Sequence, residues 1–353
     1  MTKPVESQDA QGTRAAVPSG QAELIAQCAD VGLANRLRFM ANVYFLACEY
    51  RYRFSCDWRA APGCEAAVGD LFELAPLASS LKENRWEPGI RFFDGAWATP
   101  NHKSWVAPHS HMDTYLAELT GLVENGYTSA LINSPGASDF RLKPEIVTRL
   151  VETKRHFYAH LPIHRLIRLE ADQVSATWPV VQGDPVVAVH IRTFNTTHDS
   201  ADALMFDDYS PAEAFRRVLH ALPPAVRLAV FSNDPDTVQQ VCDWLPQGQA
   251  FPARAESFDN SRDTAGGVKT AMADLLLMSR CNAVVGTFYS SFSDEACLFG
   301  PLSAKYCPIG DEGLRHAQNG TYHASNFVLD EQAGVVHFCG DEAVLARLRT
   351  VTL

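Results

Sequence analysis

Pro185-Val-Val-Ala-Val-His-Ile-Arg-Thr193 is the stretch on which the reading of this chain turns. Its small, mostly β-branched apolar residues run unbroken into His190, with Arg192 two positions further on. Such a run predicts a strand buried on both faces, as in a parallel sheet. Side chains alternate along a strand, which places His190 and Arg192 on one face. The strand then gives way to the polar segment 193–200. In open α/β sheets the ligand crevice lies beyond the carboxyl ends of the strands. A guanidinium there can grip a diphosphate through two parallel hydrogen bonds. Taken alone, Arg192 is equally a surface arginine at a strand end.

Composition narrows the classes. A chain of 353 residues predicts two domains of roughly 150 residues each. An apolar fraction of 46% is enough for large cores. The net charge of −11 argues against a general binder of nucleic acid or of anionic membranes. An acidic protein that handles an anion must gather its arginines locally. The nine cysteines are scattered, odd in number and without a CxxC pair. That favours reduced thiols and a cytoplasmic location over a disulfide framework or a zinc site. No stretch approaches the ~18 uninterrupted apolar residues of a membrane span. The first twenty residues are polar and lack the apolar core of a signal peptide, which predicts a disordered lead over 1–20.

Both halves alternate strands with helices. In 21–175, the run Leu24–Cys28 is followed by a glycine turn. Leu37, Met40, Ala41, Tyr44 and Ala47 then recur at helical spacing. Arg51–Trp58 and Ser129–Asn133 read as strands and Asp113–Glu124 as a helix. Leu142–Leu169 reads as helix broken at Leu161-Pro162. Residues 176–185 form a Pro- and Gly-containing linker. In 185–330, strands 186–191, 226–232 and 283–288 alternate with helices 211–221, 235–245, 268–280 and 293–299. A last helix, 341–349, lies in a segment 331–353 expected to pack back on the body. The order predicts an α/β protein of two Rossmann-like, doubly wound domains facing a central cleft.

Several constellations carry chemistry. In Val31-Gly-Leu-Ala-Asn-Arg-Leu-Arg38, Gly32 permits close backbone approach and the helix that follows favours an anion. Asn35 and Arg36 at the turn strengthen a functional reading. The pattern is not GxGxxG, and no acid stands about 20 residues on, so dinucleotide binding is poorly supported. Phe231-Ser-Asn-Asp234-Pro-Asp ends an apolar strand on the crevice side. Asp234 before proline is also an ordinary helix cap. Asp274 is the only charge in an apolar helical run and needs donors, which the N1–H and NH₂ of guanine would supply. Hydroxyls at Thr287, Ser290, Ser291 and Ser293 fall where a strand hands over to a helix, a seat for phosphate. The competing reading is a capping box of Ser291 with Asp294. Asp294 and Glu295 also add negative charge that weighs against phosphate. His109 and His111, near Trp105, suggest a metal but lack a third ligand, and lining an acceptor groove is the better assignment. Trp86, Phe92 and Phe93 are candidates for stacking on a sugar.

The turn GLANRLR, strand-HIR, strand-FSNDP, helix-DLLLMSRC and strand-GTFYSSFS occur here in one order. Together they resemble the GT-B fucosyltransferases that use GDP-fucose. These include the α1,6-fucosyltransferases with the rhizobial nodulation enzymes, the α1,2-fucosyltransferases and the protein O-fucosyltransferases. The likeness is strongest over 186–300 and near 31–58. It implies a GT-B-like fold and a glycosyltransferase that moves L-fucose from GDP-β-L-fucose to a hydroxyl with inversion. It implies no cofactor and no metal. The partners would be the nucleotide-sugar donor and a glycan, peptide or small-molecule acceptor. By the same resemblance Arg192 would hold the β-phosphate and His190 would help build the nucleotide pocket. Asp274 would recognise guanine, Ser290 and Ser291 would touch the diphosphate, and Asn35 would reach across from the other domain.

The chain departs from that pattern after Arg192. Relatives often continue with a second arginine and an acid, whereas here the run is Thr-Phe-Asn-Thr-Thr-His198-Asp199. The catalytic base is therefore open among His198, Asp199, Asp202 and, from the other domain, Asp57. Two other readings stand beside the main one: a GT-B enzyme with another nucleotide sugar, and a non-catalytic nucleotide- or sugar-binding protein.

Overall fold

The computed structural model of this chain describes residues 23–28, 32–74, 80–82, 85–93, 102–106, 129–134, 144–181, 183–192, 202–254, 259, 261–288, 290–300 and 305–318. The expected lead 1–20, the helices 113–124 and 341–349, and the segment 331–353 lie outside those residues.

The first half runs β1 (Glu23–Cys28), α1 (Leu33–Tyr50), β2 (Arg53–Asp57), α2 (Val68–Leu71), β3 (Ser80–Lys82), β4 (Arg85–Glu87), β5 (Ile90–Phe93), β6 (His102–Val106), β7 (Ser129–Ser134), α3 (Pro144–His160) and α4 (Arg165–Ala176). Its five-stranded sheet has the order β5-β2-β1-β7-β6 with every pairing parallel. The second half runs β8 (Val186–Ile191), α5 (Asp202–Tyr209), α6 (Ala212–His220), β9 (Arg227–Ser232), α7 (Pro235–Asp243), β10 (Ala250–Pro252), α8 (Ala265–Met278), β11 (Ala283–Gly286), α9 (Ser291–Phe299), β12 (Lys305–Tyr306) and α10 (Asp311–Gln318). Its sheet, also parallel throughout, has the order β10-β9-β8-β11-β12. The architecture is the doubly wound α/β arrangement that the alternating pattern predicts.

The unbroken apolar run at 186–189 is explained by cores on both faces of its sheet. Val186 and Ala188 belong to the larger core, which extends into the first half. Val187 and Val189 belong to a second core against α6. The helix α1 is buried on almost every side because the first sheet, α3 and α9 all pack against it. All five of its predicted apolar positions are buried. The long helical pattern breaks where Pro162 removes a donor and disfavours helix at Leu161. The piece after the break, α4, packs against α8 of the second half, with Arg280 and Asp172 paired at 2.6 Å. The edge strands β10 and β12 and the hairpin β3–β4 had no readable period, being only two or three residues long.

The halves meet through buried charge. Glu295 of α9 accepts hydrogen bonds from Arg38 Nε of α1 at 2.6 Å, from Lys154 of α3 at 3.1 Å and from the Tyr158 hydroxyl. Its neighbour Asp294 accepts from Arg38 at 3.0 Å and pairs with Lys305 of β12. Burial pushes the Glu295 carboxyl upward, but Lys154, Arg38 and Tyr158 together outweigh it and hold it below the ordinary glutamate range. Removing one member of such a network strands its partners in a medium that solvates charge poorly. The variant Glu295→Gln is therefore expected to lose about 3–5 kcal/mol of stability in urea denaturation. A loss below about 1 kcal/mol would show that water reaches the network.

Candidate active site

The second sheet has one topological switch point. From β8 the chain steps outward to β9 and β10, then returns to β11 on the other side of β8. Ligand crevices of open α/β sheets form at such a place, beyond the carboxyl ends of the two strands. His190 lies near the end of β8, Arg192 directly follows it, and Thr287 follows β11. Thr287 ties the two ends together. Its hydroxyl accepts from the Arg192 amide at 2.8 Å, and its own amide donates to the His190 carbonyl at 3.0 Å. It therefore supports the strand ends from a buried position.

His190 stacks on Phe292 of α9, with ring centroids 5.3 Å apart. Burial, then the charges of Arg192 and Lys305, pull its pKa down to about 3. It is neutral at any ordinary pH. Its Nδ1 is buried with no hydrogen-bond partner among the described residues. Arg192 is half-buried, and burial with the nearby Arg262 guanidinium lowers its pKa from the ordinary arginine value.

The turn into α9 is built on Gly286. A Cβ there would lie 2.8 Å from Ser293 Oγ and 3.2 Å from Lys305 Cε, so only glycine lets the first turn of α9 close on the strand end. Ser290 is the N-cap and its side chain makes no capping bond. The leading amides of α9 thus keep the donor capacity that an anion uses. Two sequence expectations are corrected here. The Ser291–Asp294 capping box does not form, because Ser290 occupies the cap and Asp294 faces Lys305 and Arg38. Asp294 and Glu295 do not make the turn electronegative either. Arg38, Lys154 and Lys305 set three cations against these two carboxylates.

The helix that meets the beginning of α9, through Arg38, is α1. Gly32 is its N-cap with no side-chain bond, and the first turn carries no acid. Asn35 lies in that turn and is half-buried. Arg36 is turned inward and fully buried: its guanidinium lies 5.0 Å from the Trp58 ring centroid and donates to the Arg59 carbonyl at 2.5 Å. Asp57 ends β2, buried, with its carboxylate held by Arg59 at 2.8 Å.

Two acids expected at the donor site are engaged within the protein. Asp234 caps α7, accepting from the amides of Asp236 at 3.3 Å and Thr237 at 3.2 Å. Asp274 accepts from Arg254 Nε at 2.7 Å, and Arg254 also reaches Glu170 of α4 at 2.8 Å. Burial raises the Asp274 pKa to about 6 despite that guanidinium. Phe92 stacks on Phe72 with centroids 4.4 Å apart, as a packing residue of the first half. Trp86 and Phe93 lie in β4 and β5, Trp105 in β6, and Asp202 opens α5. His198, Asp199, His109 and His111 lie outside the described residues. Among the described residues no three His, Cys, Asp or Glu side chains gather as metal ligands would, and no helix is long and apolar enough to cross a membrane. Lys305 gave no signal in sequence and Arg38 stood in the glycine-turn motif without a role, since nothing local separates a buried basic residue from a solvated one.

No protein-family model matches the chain, and no curated protein sequence matches it. Solved structures do. The α-1,6-fucosyltransferase NodZ, soaked with GDP-fucose, is similar over 80% of this chain and 93% of its own, with 18% identity and a TM-score of 0.50. NodZ from Bradyrhizobium matches over 80% and 94% with 17% identity and a TM-score of 0.51. A point variant of Arabidopsis thaliana FUT1 in complex with GDP matches over 81% of this chain and 70% of its own, with 12% identity and a TM-score of 0.53. At such identities the likeness is one of fold: the chain has the two-sheet, GT-B architecture of these fucosyltransferases.

Proposed function

We propose that this chain is a glycosyltransferase that moves L-fucose from GDP-β-L-fucose to an acceptor hydroxyl with inversion and without a metal ion. The observation that carries the reading is the meeting, at the switch point, of the strand end that leads to Arg192 with the strand end that leads into the uncapped start of α9, the two tied through Thr287. Of the similar structures of the same fold, one NodZ was soaked with GDP-fucose and the FUT1 variant is in complex with GDP. In this reading the donor diphosphate rests between the Arg192 guanidinium and the leading amides of α9, with Ser290 and Ser291 at hand. The start of α1, with Asn35, approaches from the first half. His190, being neutral, supplies a hydrogen bond and a wall.

The acceptor oxygen attacks the anomeric carbon on the face opposite the diphosphate. The bond from that carbon to the phosphate oxygen breaks, its electron pair stays with GDP, and the hydroxyl proton passes to a base. Charge developing on the departing oxygen meets Arg192 and the helix amides, donors already oriented before reaction. Lys305 adds positive potential from behind the turn. For Asp57 to serve as the base, Arg59 would have to swing aside. The base is instead drawn from the 193–202 segment, with His198, Asp199 and Asp202. The acceptor is a glycan, a peptide or a small molecule.

Asp274 would recognise guanine by sharing its carboxylate between the base and Arg254. Because Arg254 already holds it, a second reading keeps the reaction and changes the base of the donor. A nucleotide panel separates the two. With ligand at 100 times its Kd, mass action stabilises the fold by about 2.7 kcal/mol. GDP should therefore raise the Tm by degrees where UDP leaves it in place; the reverse order selects the second reading. Arg192→Ala should keep the Tm of the free protein and lose transfer by about a hundredfold or more. Near-normal turnover in that variant removes Arg192 from the diphosphate.

The raised pKa of Asp274 gives a pH signature. Guanine needs the ionised carboxylate, whose fraction falls as pH drops through about 6. One unit below that value, GDP affinity should be about tenfold weaker than at neutral pH. His190 does not titrate in this range. The diphosphate's own titration is common to UDP, so calorimetry on both nucleotides isolates the effect. The GDP-specific change should vanish in Asp274→Asn, and its persistence there would clear Asp274 of the role.

A further inference from the structure

The strand-end motif holds a single arginine, but the fold delivers another to the same place from a different element. Val186, Ala188 and His190 share one face of β8 by alternation, and Arg192 directly follows the strand. That face is covered by α8 and α9. As α8 follows a parallel strand, its N-terminus lies at the carboxyl edge of the sheet, level with Arg192.

Residues of the 259–264 segment leading into α8 lie over the first turn of that helix. Thr264 accepts from the Gly267 amide at 3.0 Å, and Asp259 accepts from the Ser261 amide at 3.0 Å and from the Thr264 hydroxyl at 2.5 Å. A Cβ on Gly267 would lie 1.9 Å from the Ser261 carbonyl oxygen, so this path exists only because residue 267 is glycine. The same segment touches the first half. The Glu65 amide donates to the Arg262 carbonyl at 3.2 Å and the Gly63 amide to the Asp263 carboxylate at 3.3 Å, while Lys269 pairs with Asp70 at 2.8 Å.

Arg262 therefore stands at the seam between the halves with its main chain anchored. Its side chain is exposed and makes no hydrogen bond or ion pair among the described residues. It is near enough to Arg192 for the two guanidiniums to repel. A cation held beside another at the mouth of a crevice gains most when an anion lies between them.

We propose that Arg262 is a second diphosphate-binding residue, reaching from the entry of α8 to close, with Arg192, on the outer phosphate of a nucleoside diphosphate. The proposal rests on the nucleotide-sugar reading above. It also supplies the cation that the sequence lacks after Arg192.

The test is calorimetric titration of the full chain with GDP and with GMP, for wild type, Arg262→Ala, Arg262→Lys and Arg192→Ala. Arg262→Ala should weaken GDP by about tenfold or more, the usual worth of a charge-assisted hydrogen bond. GMP, which lacks the outer phosphate, should change less than about threefold, as a lost surface contact does. Arg262→Lys should recover part of the loss, keeping the charge without the planar fork. The free Arg262→Ala protein should melt no lower than wild type, because a repulsion is relieved and the main-chain bond to Glu65 remains. Equal weakening of GDP and GMP, or a lower Tm of the free variant, would assign Arg262 a structural role and overturn the proposal. Unchanged GDP binding in Arg262→Ala beside a loss in Arg192→Ala would overturn it and leave the nucleotide reading standing. Wild-type protein that binds neither GDP nor UDP would end both.

Discussion

Glu295 carries a charge where no water can solvate it, and the relation between the two halves depends on that charge being met. Its donors come from α1 and α3, elements of the other half, while Asp294 beside it faces Lys305 and Arg38. Isolated, each of these ions would cost several kcal/mol to bury. The network is thus poor evidence for net stability and strong evidence for one specific packing, since any shift of α9 against α1 would leave an ion unpaired. What it fixes is the packing of α1 against α9, the helix that starts where β11 of the second sheet ends.

The same network sets the local electrostatics. The chain as a whole is acidic, with a net charge of −11. At the start of α9, however, three buried cations outnumber two carboxylates. Arg192 stands at the end of the adjoining strand, and Arg262 near it. Surface charge is screened within about a Debye length, roughly 8 Å at physiological salt, whereas partly buried groups are screened less. On the proposed reading, an anion arriving at these strand ends would meet this local surplus and not the average of the molecule.

His190 and Thr287 show how the strand-end motif is supported. Burial keeps the imidazole neutral, so it adds no repulsion to the crowded cations around it. Thr287 pins the two strand ends that diverge at the switch point. Gly267 gives up a side chain so that the backbone at Ser261 can pass, and Gly286 does so to make room for the side chains of Ser293 and Lys305. These four residues are the scaffolding of the site. Two of them, Thr287 and Gly286, stand in the GTFYSS stretch that singled itself out in sequence.

Sequence alone determined the alternation of strands and helices, the buried double-faced strand 186–191, the break at Pro162, and the strand ends that carry His190 and Arg192. Each is written in local pattern: residue size, alternation, helical spacing and proline chemistry act within a few neighbours. The roles of charged residues were decided only in three dimensions. Asp294 and Glu295 read as repulsive, yet partners more than a hundred residues away neutralise them, among them Arg38 and Lys154. Asp274 read as a carboxylate lacking donors, and Arg254 provides them from another loop. Arg36, read beside the ligand turn, is folded inward onto Trp58. Arg262 carried no signal at all, because its place beside Arg192 comes from the path over Gly267. Coulomb energy depends on distance and burial, and a linear sequence fixes neither for residues that meet only through the fold.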